Sequence, residues 1–156
     1  MIRAKYEQIE DKIRNESESG LEVRLTKNKG RSVFATHAFA RNDFVCEYAG
    51  EMISYLEAKE REKKYARDPS IGCYMYFFEH KTKTYCVDAT AETNRLGRLL
   101  NHSRLFSNCH TKVFEMDARP YLILLASRDI RAGEELTFDY GDRNRNAVQS
   151  YPWLAE

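Results

Sequence analysis

No apolar stretch in this chain is long. The two longest, residues 73–78 and 121–126, run six residues each, far short of the ~20 that a membrane-spanning helix requires. Short apolar-rich runs separated by Gly, Pro, Asn and Asp clusters read as short strands joined by turns. The pattern predicts strands over 22–26, 32–36 and 44–48, hairpins over 74–80/84–88 and 112–116/121–127, and a strand over 135–138. Helical signals are fewer. Ile9 and Ile13 form an apolar seam at i, i+4 within 4–18, and Ser54 with Glu57 makes a capping box that opens a charged helix ending near Arg67, before Asp68-Pro69. A short helix is expected over 94–100, and another from Asn144 leading toward Trp153. Many strands with few helices predict a strand-dominated α+β domain.

A chain of 156 residues is about one domain, long enough for a core without staples. With 25 Lys+Arg against 24 Asp+Glu, the formal charge of +1 argues against bulk electrostatic binding of nucleic acid. The basic helix face around Lys59, Lys63 and Lys64 is the one local candidate for a contact with DNA phosphate; otherwise it is a solvated surface. The first residues lack the apolar segment of a signal peptide, so a soluble intracellular domain is expected. Cys46, Cys73, Cys86 and Cys109 form no C-x-x-C pair, which disfavours structural zinc, and no metal site is expected.

Three local features could carry chemistry. Asn101-His102-Ser103 places three hydrogen-bonding side chains after the apolar Leu99-Leu100 pair, although taken alone such a triplet is better explained as a capped turn. Phe138-Asp139-Tyr140-Gly141 puts two aromatics on one face of a strand end, and Glu47-Tyr48-Ala49-Gly50 ends a strand similarly; either is compatible with ordinary core packing. No P-loop, G-x-G-x-x-G, G-x-S-x-G or H-E-x-x-H occurs, so phosphate-transfer and common hydrolase chemistries lack their parts.

In order along the chain, these features resemble the SET-domain protein lysine methyltransferases. The resemblance rests on Lys29-Gly30-Arg31, Glu47-Tyr48, Arg98 through Ser103 with Asn108-Cys109 beyond, Ala132 through Leu136, and Phe138 through Gly141. Within that family the chain looks most like the histone H4 lysine-20 methyltransferases of the PR-Set seven type, through Asp68-Pro69-Ser70, residues 72–76, 83–90, 92–99, 122–130 and 139–143, and Pro152-Trp153-Leu154. The likeness covers roughly 20–154. It implies small curled β-sheets with a knot-like C-terminal threading, a flanking helix over 1–20, the SET domain over 21–143, and a segment over 144–156 that closes the cofactor pocket. It implies S-adenosyl-L-methionine on one face and a peptide groove on the other, joined by a channel for the target lysine.

By matching motif, Lys29, Gly30, Arg31, Tyr74, Asn101 and His102 would hold the cofactor, with Trp153 stacked near its adenine. Tyr48, Cys73 (through its backbone), Phe138 and Tyr140 would line the lysine channel, Tyr140 as the catalytic tyrosine, and Asp142 would face the basic histone tail. A histone H4 tail on a nucleosome is the implied partner, the nucleus and chromatin the implied location, and a monomer the expected state.

The chemistry suits phenols better than carboxylates. A free lysine amine has a pKa of about 10.4, so neutralising it at pH 7 costs roughly 4–5 kcal/mol. A dry aromatic channel lowers that cost, whereas a carboxylate beside the amine would stabilise the ammonium. Two departures from the family pattern stand out. Ser32 replaces a second glycine, which implies a less close backbone approach to the cofactor, and Phe138 stands where the lysine-20 enzymes carry Tyr, which implies products beyond monomethyl-lysine. Rival readings are a SET enzyme for another lysine and a non-catalytic SET-like module that binds chromatin.

Overall fold

The computed structural model describes residues 2–143, apart from the side chains of residues 2, 3, 142 and 143. Helix α1 (Ile2–Arg14) leads to the hairpin β1 (Leu21–Thr26) and β2 (Gly30–Ala35). Strands β3 (Phe44–Glu47) and β4 (Glu51–Ser54) precede helix α2 (Tyr55–Ala66), then β5 (Met75–His80) and β6 (Lys83–Asp88). A 3-10 turn at Gly97–Leu99 runs into β7 (Asn101–His102); β8 (Cys109–Met116), β9 (Arg119–Ala126) and β10 (Thr137–Phe138) follow, and a 3-10 turn at Tyr140–Arg143 ends the described chain. The strands make four small sheets, β1-β2, β4-β6-β5, β3-β9-β8 and β10-β7. Only the last of these is parallel, and it brings Thr137-Phe138 back to Asn101-His102.

Strand β9 organises the interior because it is buried on both faces. Side chains alternate along a strand, so Leu122, Leu124 and Ala126 enter one core with Val45, Leu100, Leu136 and Phe138. Ile123 and Leu125 point the other way, where Phe44, Phe114, Met116 and Ile13 cover them. Ile13 with Ile9 is the predicted seam of α1, which docks that helix on the second face. The helix stops earlier than the predicted residue 18 because Glu16 adopts φ 50°, a left-handed conformation no helix can continue through. Helix α2 begins as predicted, with the Ser54 hydroxyl accepting the Glu57 N–H at 3.2 Å. The reciprocal half of the capping box is absent, since the Glu57 carboxylate accepts from Arg61 instead.

The expected helix over 94–100 is reduced to the single turn at Gly97–Leu99. Gly97 lies so close to β3 that a Cβ there would sit 2.4 Å from the Glu47 carbonyl oxygen, and the buried Arg98 guanidinium bonds the Ala89 and Thr90 carbonyls. Those contacts pin the segment across the β3 end and leave no room for a longer coil. Likewise only Thr137–Phe138 of the expected 135–138 strand forms a ladder, Glu135 making an isolated bridge to Phe34. The predicted helix from Asn144 lies outside the described residues.

Candidate functional site

The parallel β7–β10 pair sets Thr137 opposite Asn101 and Phe138 opposite His102, so two sequence-distant motifs share one ladder. The Asn101 amide nitrogen donates toward the Arg31 carbonyl at 3.2 Å, the Ser32 hydroxyl at 2.8 Å and a Glu135 carboxylate oxygen at 3.0 Å. The other Glu135 oxygen pairs with the Lys29 ammonium at 3.0 Å. These contacts fix the β2 turn against β7. Ser32 is fully buried, and its hydroxyl supplies a partner for Asn101 that a glycine could not. Beside this junction opens a cleft of about 610 Å³ lined by Lys29, Asn101, His102, Leu105, Phe106 and Tyr140, among others.

Behind the cleft stands a group of aromatic rings. Tyr48 and Phe138 are wholly buried, with centroids 6.0 Å apart edge to face; Phe138 and Tyr140 are 5.0 Å apart, and Tyr140 and His102 are 5.2 Å apart. Backbone carbonyls hold the phenols. Tyr48 donates to the Tyr74 carbonyl at 3.0 Å and Tyr140 to the Leu100 carbonyl at 2.5 Å. The Tyr140 backbone N–H donates to His102 Nδ1 at 3.0 Å, which sets the neutral imidazole with its proton on Nε2. Tyr140 thus belongs both to the aromatic group and to the cleft lining. Such an arrangement can strip water from a cation that enters among the rings and orient it by phenol oxygens that carry no full charge.

The expected site residues are only partly assembled in one place. Lys29, Asn101, His102 and Tyr140 line the cleft; Gly30, Arg31 and Tyr74 do not. Gly30 takes φ 72° at the β2 entry, the left-handed turn that glycine permits. Tyr74 packs its ring beneath the Arg98 guanidinium, 4.3 Å from the centroid. Cys73 is half-buried just before β5. The Asp142 backbone lies in the last 3-10 turn, while its side chain and all of Trp153 lie outside the described residues.

Sequence reading missed Tyr76, whose buried ring lies 5.8 Å from Tyr48 and whose hydroxyl bonds the Thr111 hydroxyl. Its signal was the two-residue period, which sets Tyr76 and Phe78 on one face of β5. Arg98, Glu92 and Glu135 were missed as well, since their partners are distant in sequence.

Among the described residues, Lys29 and Arg104 are the Lys and Arg side chains that line the cleft. Burial pushes the Glu47 carboxyl up, against the pull of Arg95 at 3.6 Å. Burial also raises the Cys46 thiol and pushes those of Cys86 and Cys109 up to about 12. Among the described residues no cluster of His, Cys, Asp and Glu could hold a metal, and no helix is long and apolar enough to cross a membrane.

The SET domain family model matches residues 30–141. The chain is 52% identical over 153 residues to N-lysine methyltransferase KMT5A-A of Danio rerio, covering 96% of this chain and 44% of that protein. It is 53% identical over 147 residues to the histone-lysine N-methyltransferase Set8 of Drosophila melanogaster, covering 94% of this chain and 21% of that one. The crystal structure of CpSET8 from Cryptosporidium superposes with a TM-score of 0.83 at 45% identity, over 91% of this chain and 67% of that one. The chain therefore spans less than half the length of these two curated relatives.

Proposed function

This chain belongs to the SET-domain family, and on that premise we propose that it is a histone-lysine N-methyltransferase that uses S-adenosylmethionine and acts on lysine-20 of the histone H4 tail. The observation that carries the reading is the position of Tyr140, which joins the buried aromatic group of Tyr48 and Phe138 to the cleft bearing Lys29, Asn101 and His102. A volume of about 610 Å³ lies in the range of small-molecule sites. Its lining also suits this cofactor: the Lys29 ammonium for a carboxylate, the Asn101 amide and His102 imidazole for polar groups, and the apolar Leu105 and Phe106 for a flat base. When bound, the cofactor supplies an electrophilic methyl group on a sulfonium.

The protein's part is to receive the lysine side chain. The rings of Tyr48 and Phe138, both without solvent exposure, exclude water and so disfavour the ammonium form. The Tyr140 phenol, held by the Leu100 carbonyl, is the group we assign to align the amine. The proton that the lysine ammonium loses goes to solvent, and the Tyr140 hydroxyl keeps its own in the bond to the Leu100 carbonyl. Residues 21–143 form the catalytic unit in this reading, with α1 as a flanking helix, and residues 144–156 are assigned to the cofactor side by the family resemblance alone. The role we assign to Trp153, stacking near the adenine, suits a rim on which Leu105 and Phe106 are 74% and 81% exposed. Asp142 is assigned to the recognition of a basic tail by its acidic charge and the family resemblance. Nuclear action follows from the substrate.

Products beyond monomethyl-lysine draw no support from the relatives and form no part of the proposal. Radiolabelled-cofactor assays on nucleosomes and on free core histones, with mass-spectrometric mapping, test the reading. Label on H4 lysine-20 is expected; label confined to another lysine moves the target, and none on any substrate refutes the activity.

A further inference from the structure

We infer that Glu92 is a positioning residue, one carboxylate that ties the cofactor side of the site to the phenol side. It rests on the function proposed above. Glu92 lies in the loop between β6 and the Gly97–Leu99 turn, and its two oxygens are divided between two arginines. One accepts from Arg31 at 2.5 Å and the other from Arg98.

On the first side, the main chain of Arg31 supplies a carbonyl to the Asn101 amide, and Lys29 stands two residues before it. A shift of Arg31 therefore reaches the β2 turn and the residue that anchors it to β7. On the second side, Arg98 is only 4% exposed. Its Nε donates to the Ala89 carbonyl at 2.7 Å, and the Ala89 N–H donates to the Tyr74 carbonyl at 3.0 Å. That same Tyr74 carbonyl accepts the Tyr48 hydroxyl, and the Arg98 guanidinium covers the Tyr74 ring. The path from Glu92 thus ends on a wall of the aromatic group.

A buried guanidinium must be paired to keep its orientation. Among the described residues Glu92 is the one carboxylate in an ion pair with Arg98. Glu92 itself is 58% exposed, and so is Arg31 by nearly half, so their pair adds little to folding and is weakened by salt. Position is what the carboxylate contributes: each oxygen is committed to one side, and neither arginine can drift without losing a charge-assisted bond.

The test is Glu92→Gln, which keeps the shape and removes the charge. S-adenosylmethionine is titrated calorimetrically into parent and variant; kcat and KM on an H4 tail peptide and the melting temperature are measured alongside. The variant is expected to melt a few degrees below the parent, because the buried Arg98 loses its carboxylate partner, and, assayed well below both transitions, to bind cofactor several-fold more weakly at low salt and to lose roughly tenfold in kcat. The gap should narrow as salt rises, and Glu92→Asp should recover part of it. Arg31→Ala should weaken cofactor binding, and adding Glu92→Gln to it should lower kcat further through Arg98. Binding and kcat within twofold of the parent, in an active parent, overturn this inference alone. So do losses that disappear once binding and rate are referred to the folded fraction. A parent that neither binds the cofactor nor methylates the peptide overturns the proposed function and this inference with it.

Discussion

Gly97→Ala probes how the fold places the site. A Cβ at this position would lie 2.4 Å from the Glu47 carbonyl oxygen and 3.1 Å from the Tyr48 Cα. Both are backbone atoms that cannot rotate aside, so the 3-10 turn and β3 must part by about 1 Å to reach ordinary contact. Overpacking of this kind costs about 2 kcal/mol. At roughly 2–4 °C per kcal/mol for a domain of this size, the melting temperature should fall by about 4–8 °C. The displaced strand end carries Tyr48, whose hydroxyl bond to the Tyr74 carbonyl is 3.0 Å long in the parent. A misplacement near 1 Å at a reacting group is worth on the order of 10²-fold in rate. Thermal melting followed by circular dichroism, with methyl transfer measured well below both transitions, reads the two effects separately. A variant that melts within about 1 °C of the parent and turns over at the parental rate would refute the close approach and the placement of Tyr48 by it.

Two further predictions concern buried ionisable groups. Asp88, whose side chain is 2% exposed, would be pushed up by burial, but bonds from Thr90, Tyr65 and Arg61 outweigh this and hold it below the usual carboxylate range. Its stabilisation is therefore full above the ordinary carboxylate pKa and lost as pH falls through the depressed one. Asp88→Asn should cost about 2–3 kcal/mol at pH 7, and the gap to the parent in urea unfolding should shrink below about pH 4. A gap independent of pH would contradict this. Cys46, Cys86 and Cys109 are buried with raised thiols, while Cys73 is half-buried, so iodoacetamide at pH 8 should modify Cys73 alone in the native protein and all four in denaturant. Native labelling of Cys109 would show that β8 opens.

Much of this fold was legible because strand periods and caps are local. The β5–β6 and β8–β9 hairpins fall within a few residues of their predicted bounds, and Ser54 caps α2. Hairpin turns hid their type. Lys81-Thr82 and Asp117-Ala118 take positive φ without a glycine, so Arg119-Pro120, read as turn residues, belong to β9. Strand β4 was missed because Glu51–Ser54 carries one buried apolar residue, Ile53, and its last residue also reads as a helix cap. At the site, Asn101, His102 and Tyr140 were legible as residue types, but their union depends on a two-residue parallel ladder that no local pattern announces. The bridge from Arg31 through Glu92 to Arg98 was invisible for the same reason, since Arg31 and Glu92 lie 61 residues apart.

Transfer by a Tyr140→Phe variant bears most directly on the account. Tyr140 is the residue shared by the cleft and the aromatic group, and its hydroxyl is fixed on the Leu100 carbonyl. With S-adenosylmethionine affinity shown intact by titration, single-turnover methylation of an H4 tail peptide should slow by about 10²-fold or more, the scale on which losing one preorganised polar group acts. A variant that binds the cofactor normally and methylates at the parental rate would contradict the claim that this phenol aligns the amine.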